Sequence, residues 1–240
     1  SARARGDVVF WDDYEMPVAL SLAAVNAILK SRTMGREPPR TAASQPHLAA
    51  FRRVEAHSLL ELEPPNHSRL RRLVQHAFST RRIATMSLDI SVLTYGLIET
   101  LPTRGAFDLL DDFAKPLPAL VITRMMGLPD GDAPQLQAWS NAMVAMYQAR
   151  RDRPIEDAAN TAAADFEAYL RDAIAAKRNA LSDDLLSDLI TIDDAGDQLT
   201  EAEMISTCIL LLNAGHEATV HTIANGVKTL LEHKTPLAAL

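Results

Sequence analysis

Residues 200–219, TEAEMISTCILLLNAGHEAT, form the stretch that decides the fold of this chain. Thr200 and Glu203 match a capping box, so a helix is expected to begin there. No proline interrupts residues 200–233, and at 1.5 Å per residue such a helix is about 50 Å long. Residues 204–212 leave almost no polar face. This predicts a helix that is buried all round and passes through the middle of a mainly α domain.

The segment Asn213–Thr219 breaks this apolar pattern. Glycine inside a helix costs about 1 kcal/mol relative to alanine, and Glu217 is expected to be a buried carboxylate that needs a partner or a raised pKa. In one interpretation, Ala214 and Gly215 let something flat and bulky lie against the backbone, while Glu217 and Thr219 manage protons or bound water. In the other, the glycine allows two helices to cross closely and Glu217 is satisfied by a neighbour. The residues alone leave both open.

A second informative segment begins at Asn66. Five apolar residues at helical spacing form one face of a helix: Leu70, Leu73, Val74, Ala77 and Phe78. His67 and Arg71 are four apart at one margin of that face, whereas Arg69 and Arg72 point elsewhere. Such a basic pair can hold a carboxylate of a mostly apolar ligand, and the helix N-terminus favours an anion. The alternative is a solvated basic face.

The rest of the chain is read as a single domain over residues 1–240. Residues 8–11 are read as a strand, 17–20 as the opening of a second strand or a helix, and 22–29 as a helix. Residues from about 40 to 63 are expected to form a loop with short helical pieces. Further helices are predicted at residues 66–78, 84–100, 108–127, 133–148, 156–178, 183–192 and 200–233.

Composition excludes several classes of function. The net charge of −7 argues against general nucleic-acid binding, and no apolar run is long enough to predict a transmembrane helix. The single cysteine allows no internal disulfide, so a cytoplasmic location is expected. Thr235 and Pro236 would start a helix, yet only residues 237–240 follow, so we expect the sequence to be part of a longer protein.

Four segments together resemble bacterial cytochromes P450. Residues 59–74, LLELEPPNHSRLRRLV, resemble the entry to that family's C helix, and residues 211–219, LLNAGHEAT, resemble its I-helix motif. Residues 113–129 are similar to its E-helix region and residues 183–189 to the start of its H helix. The resemblance runs from about residue 8 to the end. It implies a cytochrome P450 fold with helices about B to J and a small N-terminal β piece, truncated before the haem-binding cysteine.

The resemblance implies a haem b site. His67 and Arg71 would hydrogen-bond the haem propionates, which agrees with the anion interpretation of that pair. The residues that would line the haem, on its distal oxygen-binding face or elsewhere, are Leu59, Leu60, Phe78, Ala214, Gly215 and Ala218. The axial thiolate would come from a cysteine beyond Leu240, so no metal ligand is expected in this chain. Cys208 is interpreted as a buried, inert core thiol that cannot substitute.

The resemblance also implies a monooxygenase that uses O2 and two electrons to hydroxylate a small apolar molecule. Glu217 and Thr219 would deliver protons, although the family's alcohol normally follows the acid directly and here Ala218 stands in that position. The predicted substrate contacts are Met143, Met146 and Asn213. The loop at about 40–60 and helices near 135–148 and 156–178 would cover the pocket. The basic helix from Asn66 would dock a ferredoxin or similar electron donor, and neither nucleic acid nor a membrane is an expected partner.

Other functions remain open at this point. One alternative is that the chain alone is an inactive fragment or a helical ligand-binding module. A less favoured alternative is a magnesium-dependent terpene cyclase, suggested by Asp183, Asp184 and Asp188. An acidic helix N-terminus stabilised by the helix dipole explains those aspartates more simply. His216 and His221 are five apart rather than the four of a zinc-binding H-E-x-x-H motif, which argues against zinc.

Overall fold

The N-terminal region pairs two short strands and then forms a helix. In the computed structural model, which describes residues 2–31, 33–36, 45–78, 80–148, 150–194 and 196–234, the chain divides into two compact units, Ser1–Ala43 and Ser44–Leu240. The prediction of a single domain therefore stays a prediction. In the first unit, β1 (Val8–Trp11) runs antiparallel to β2 (Met16–Ala19), and α1 (Leu22–Leu29) follows. The strand alternative for residues 17–20 is thus confirmed.

The second unit is mainly helical over its described residues. Its helices are α2 (Ala49–Glu55), α3 (Asn66–Ala77), α4 (Thr80–Thr100), α5 (Pro116–Met125), α6 (Ala133–Val144), α7 (Arg153–Arg178), α8 (Leu185–Thr191) and α9 (Glu201–Glu232). Short 3₁₀ or π turns at Pro46–Leu48, Leu110–Ala114, Asp130–Asp132 and Ala145–Tyr147 connect them. The predicted short helical pieces are present from residue 46 onward, and residues 40–44 lie outside the described part of the chain. None of the described helices is long and apolar enough to cross a membrane.

The long helix α9 forms the centre of the second unit. Thr200 and Glu203 make the predicted capping box, and the helix packs against α2, α5, α6, α7 and α8. Of residues 204–212, for which the sequence predicts burial all round, residues 204–209 and Leu212 are buried, whereas Leu210 and Leu211 are only half-buried. From Ala214 onward one side of α9 is exposed.

Helix α3 buries the predicted apolar face. Leu70 and Leu73 are fully buried and Val74 and Ala77 nearly so, within the same core that contains the first half of α9. Besides His76 in its last turn, α3 carries four basic residues, which the structure separates into two pairs.

Candidate cofactor site

One side of α9 is exposed where the apolar pattern breaks. Ala214, Glu217 and Ala218 lie on this side, and the Glu217 side chain is 52% exposed, with its carboxylate 4.0 Å from His221 Nε2. The expectation of a buried Glu217 is therefore wrong: the periodicity identified the helix but not which side its neighbours cover. Thr219 lies about 200° further round the helix. Its hydroxyl donates to the Gly215 carbonyl at 3.0 Å rather than to the Glu217 carboxylate.

Gly215 allows a close approach between two helices. A Cβ added to Gly215 would lie 2.4 Å from Ile122 Cδ1 of α5, well inside van der Waals contact. This close approach agrees with the alternative in which the glycine allows two helices to cross closely. Helix packing therefore explains why position 215 is a glycine. A position for Gly215 over a cofactor stays a prediction, whereas Ala214 and Ala218 present small side chains on the exposed side.

His216 faces the core on the side away from Glu217. It is only 2% exposed, its Nδ1 lies 2.8 Å from the Leu212 carbonyl oxygen, and its Nε2 lies 2.9 Å from the side-chain amide of Asn141 in α6. The sequence pattern does not predict this contact. The spacing placed His216 one turn after Leu212, but the partner 75 residues away depends on how α6 packs. The described residues contain no group of three or more His, Cys, Asp or Glu side chains that could hold a metal ion.

Two of the basic residues of α3 are neutralised within the protein. Arg69 binds Asp197 at 3.0 Å and also contacts Glu203, the third residue of α9. Arg72 pairs with Asp194 and, at 3.4 Å, with Asp197. The prediction that these two arginines point away from the His67 and Arg71 margin is confirmed.

The other two basic residues keep their donors free. Arg71 is exposed and His67 half-buried, and the side chain of neither makes a hydrogen bond or ion pair with any described residue. They lie one turn apart near the N-terminus of α3, where the helix dipole also favours an anion. A guanidinium and an imidazole N–H, neither paired with a described residue, fit the two carboxylates of haem. The neighbouring Leu59 and Phe78 are half-buried and pack on the edge of the core.

Cys208 does not fit the role of an iron ligand. Its side chain is fully buried in the first half of α9, and burial raises the pKa of the thiol to about 12. The prediction of a buried core thiol is confirmed. The residues present therefore fit a haem through its propionates and one face of its ring, but not through its iron.

The predicted substrate contacts lie in the core. Met143 is 0%, Met146 6% and Asn213 7% exposed, and the Asn213 side-chain oxygen is buried without a hydrogen-bond partner among the described residues. Their role in binding a substrate stays a prediction. The burial of the two methionines is explained by the packing of α6 against α7 and α9.

Helix α2 is tied to α7 by polar contacts that the sequence did not reveal. His47 binds Glu156 at 2.8 Å, the Asn160 side-chain oxygen accepts the backbone N–H groups of Ala50 and Phe51, and Arg53 pairs with Glu167 at 2.9 Å. The three α7 residues share one face of that helix. The segments expected to cover a substrate pocket are thus joined to each other.

Asp184, one of the three aspartates that suggested a magnesium site, has a structural role. This buried residue caps α8 by accepting the Ser187 N–H at 2.8 Å, and Lys177 binds its carboxylate at 2.7 Å. Burial tends to raise the pKa of Asp184, but hydrogen bonds from Lys177, Ser182 and Ser187 outweigh it and the pKa is lowered. The interpretation as a stabilised helix N-terminus therefore holds for this residue.

Comparison with known proteins places these features in context. Cytochrome P450 107B1 of Saccharopolyspora erythraea is 40% identical over 182 residues, which cover 76% of this chain and 43% of that protein. The cytochrome P450 monooxygenase PikC of Streptomyces venezuelae is 38% identical over 187 residues, covering 77% of this chain and 43% of that protein. No protein-family model matches the chain.

Solved structures agree over almost the whole chain. P450BioI, in complex with an acyl carrier protein ligated to hexadec-9Z-enoic acid, has a TM-score of 0.87 and 29% identity over 99% of this chain and 62% of that one. Ligand-free cytochrome P450 TbtJ1 has a TM-score of 0.82 and 28% identity over 97% of this chain and 58% of that one. The chain therefore spans less than half the length of the curated relatives and about 60% of the solved chains.

Proposed function

The chain belongs to the cytochrome P450 family, and on that premise we propose that the protein is a haem-dependent monooxygenase. It would insert one atom of O2 into a small apolar molecule with the help of two electrons. The main support is the similarity to bacterial P450s, which include a protein named as a monooxygenase, over about three quarters of the chain. Within the structure, the strongest support comes from His67 and Arg71 of α3, whose side chains make no hydrogen bond or ion pair with any described residue.

In this proposal, His67 and Arg71 donate to the haem propionates. Ala214 and Ala218 present a small surface to one face of the ring, and Leu59, Leu60 and Phe78 contact its edge. Haem b would supply the oxygen-activating chemistry when bound, and a cysteine thiolate would hold its iron. Because Cys208 is buried and its thiol pKa is about 12, the proposed thiolate belongs to a cysteine outside these 240 residues.

Proton delivery is assigned to Glu217. Its carboxylate reaches the exposed side of α9, so it can take a proton from water and pass it toward the face formed by Ala214 and Ala218. Thr219 holds its hydroxyl against the Gly215 carbonyl. It would therefore act on backbone position or on a water molecule rather than as a direct partner of Glu217.

The proposed partners follow from charge and composition. The basic helix α3, which begins at Asn66, would help to dock an acidic electron donor such as a ferredoxin through electrostatic complementarity. A single cysteine is compatible with a cytoplasmic protein. The substrate is proposed only as an apolar small molecule, held near Asn213 and under the joined α2 and α7 segments.

The carbon monoxide difference spectrum of the reduced full protein tests this function. We expect the red-shifted band of a thiolate-ligated carbonyl. Haem uptake with a band in the ordinary position would leave a haem protein without thiolate chemistry and would contradict the monooxygenase. Absence of haem uptake would favour the helical ligand-binding module, and a requirement for magnesium without haem would favour the terpene cyclase.

A further inference from the structure

His216 uses both of its ring nitrogens in the core of the second unit. The Leu212 carbonyl can only accept a hydrogen bond, so Nδ1, at 2.8 Å, carries the proton. The atom 2.9 Å from Nε2 is assigned as the side-chain oxygen of Asn141. Because Nε2 of a neutral ring must then accept, the hydrogen bond requires the Asn141 amide to be turned so that its NH₂ group faces the ring. His216 thus joins the backbone of α9 to a side chain of α6 through one ring.

Two adjacent contacts hold α9 at this level. Gly215 lies so close to Ile122 that a Cβ would approach it to 2.4 Å, which fixes α9 against α5. His216, about 100° further round the helix, fixes α9 against α6. Contacts to two different helices from consecutive residues prevent α9 from rotating about its own axis.

We propose that His216, through Asn141, is a positioning residue that sets the rotation of α9 and thereby the direction of its exposed side. This inference rests on the proposed function, because that side carries Ala214, Glu217 and Ala218, which would face the haem. Misplacement of a catalytic group by about 1 Å can cost about 100-fold in rate. A hydrogen bond on the far side of the helix therefore affects the site without touching it.

Carbon monoxide bound to the reduced full protein is the probe for this role, because its infrared stretching band senses the groups on the distal face. Asn141→Leu removes the partner of Nε2, and we expect the band to shift or split as α9 adopts more than one rotation. Asn141→Asp keeps the shape of the side chain but removes its amide donor, so the band is expected to shift or split as in Asn141→Leu. Ser140→Ala is the control, because Ser140 is the neighbouring residue and its buried hydroxyl lies 3.4 Å from Nδ1 of the same ring, while the contact of Asn141 with Nε2 is kept.

The outcomes separate this role from a purely structural one. If Asn141→Leu lowers the thermal midpoint but leaves the carbon monoxide band at its wild-type position and width, His216 only stabilises the core and the positioning role is wrong. A band that changes equally in Ser140→Ala also overturns it. If the wild-type protein takes up no haem, the proposed function fails first and the positioning role fails with it.

Discussion

At the scale of single residues, Glu217 is the most informative side chain, because it is both the proposed proton donor and exposed to solvent. A buried carboxylate would stabilise the core through its hydrogen bonds, whereas the side chain of Glu217 lies on the exposed side of α9 and is about half exposed. Its removal should therefore leave the fold intact and affect only what happens on that side.

We expect Glu217→Gln to slow turnover of the full protein by about 100-fold or more, because a positioned acid–base group contributes roughly that factor. Haem content and the thermal midpoint should not change. The measurement is the rate of product formation beside the haem absorbance. Glu232→Gln is the matched control, since Glu232 lies on the same helix and makes only a weak pair with Lys228 at 3.8 Å. Unchanged turnover in Glu217→Gln would show that the proton role is wrongly assigned.

The sequence predicted some residues of the candidate site and not others, for a physical reason. Helical spacing places His67 beside Arg71 and separates both from Arg69, because these relations lie within one helix. The Asn141 partner of His216 and the exposure of Glu217 depend on which neighbour covers which side of α9. Spacing along a helix does not contain that information.

At the scale of secondary-structure elements, α3 has two basic pairs with different expected roles. We expect His67→Ala combined with Arg71→Ala to accelerate haem loss while leaving the unfolding free energy of the haem-free protein nearly unchanged. Arg69→Ala combined with Arg72→Ala removes partly exposed ion pairs with the segment before α9. That control should lower the unfolding free energy by about 1 kcal/mol and spare haem retention.

The rate of haem transfer to an acceptor protein, measured beside urea unfolding of the haem-free form, separates these pairs. Equal haem loss from both double variants would contradict the division of α3 into a ligand-facing pair and a structural pair.

The start of α8 provides a pH-dependent test. The pKa of Asp184 is lowered in the folded state, so its ionised form stabilises the protein above the unfolded pKa of about 4. This contribution is lost as the pH falls through the folded value. Asp184→Asn keeps a capping side chain but leaves Lys177 without its buried partner. Because Lys177 remains 16% exposed, we expect a loss of about 2 kcal/mol at pH 7 rather than the larger value of a fully buried pair.

Unfolding free energies of wild type and Asp184→Asn, measured in urea from pH 7 downward, should begin to converge below the unfolded pKa of about 4 and meet once the pH has fallen through the lowered folded pKa of Asp184. Asp172→Asn, an exposed change on α7, is the control and should track the wild type. A constant difference at all pH values would mean that packing, not charge, stabilises this helix start.

Element boundaries were predictable where a local rule decides them. The capping box at Thr200 fixed the start of α9, and α1 matches its predicted bounds. The predicted helix over residues 108–127 is instead a π turn followed by α5, because Pro116 has no N–H to continue the hydrogen-bond ladder. The joining of α2 to α7 was not predictable, since its partners lie about 110 residues apart in the sequence.

At the scale of the whole molecule, the helical class and the family were predictable because four motifs occur in the expected order. The separation into two compact units was not, because the sequence shows no clear linker between them. The described part of the chain also exposes several large apolar side chains. On α4, Leu88 is 72%, Val92 56% and Tyr95 68% exposed, and their spacing places them on one face.

This apolar face leads to a prediction for the 240-residue chain expressed alone. Contiguous exposed apolar surface promotes association in water, so we expect the chain to bind a hydrophobic dye and to self-associate with rising concentration. Leu88→Glu combined with Tyr95→Glu should reduce both effects. Leu231→Glu, which changes a 73% exposed leucine near the end of α9, is the matched control and should have little influence. Sedimentation and dye fluorescence measure the difference. A monomeric, dye-silent wild-type chain would mean that the α4 face does not drive association.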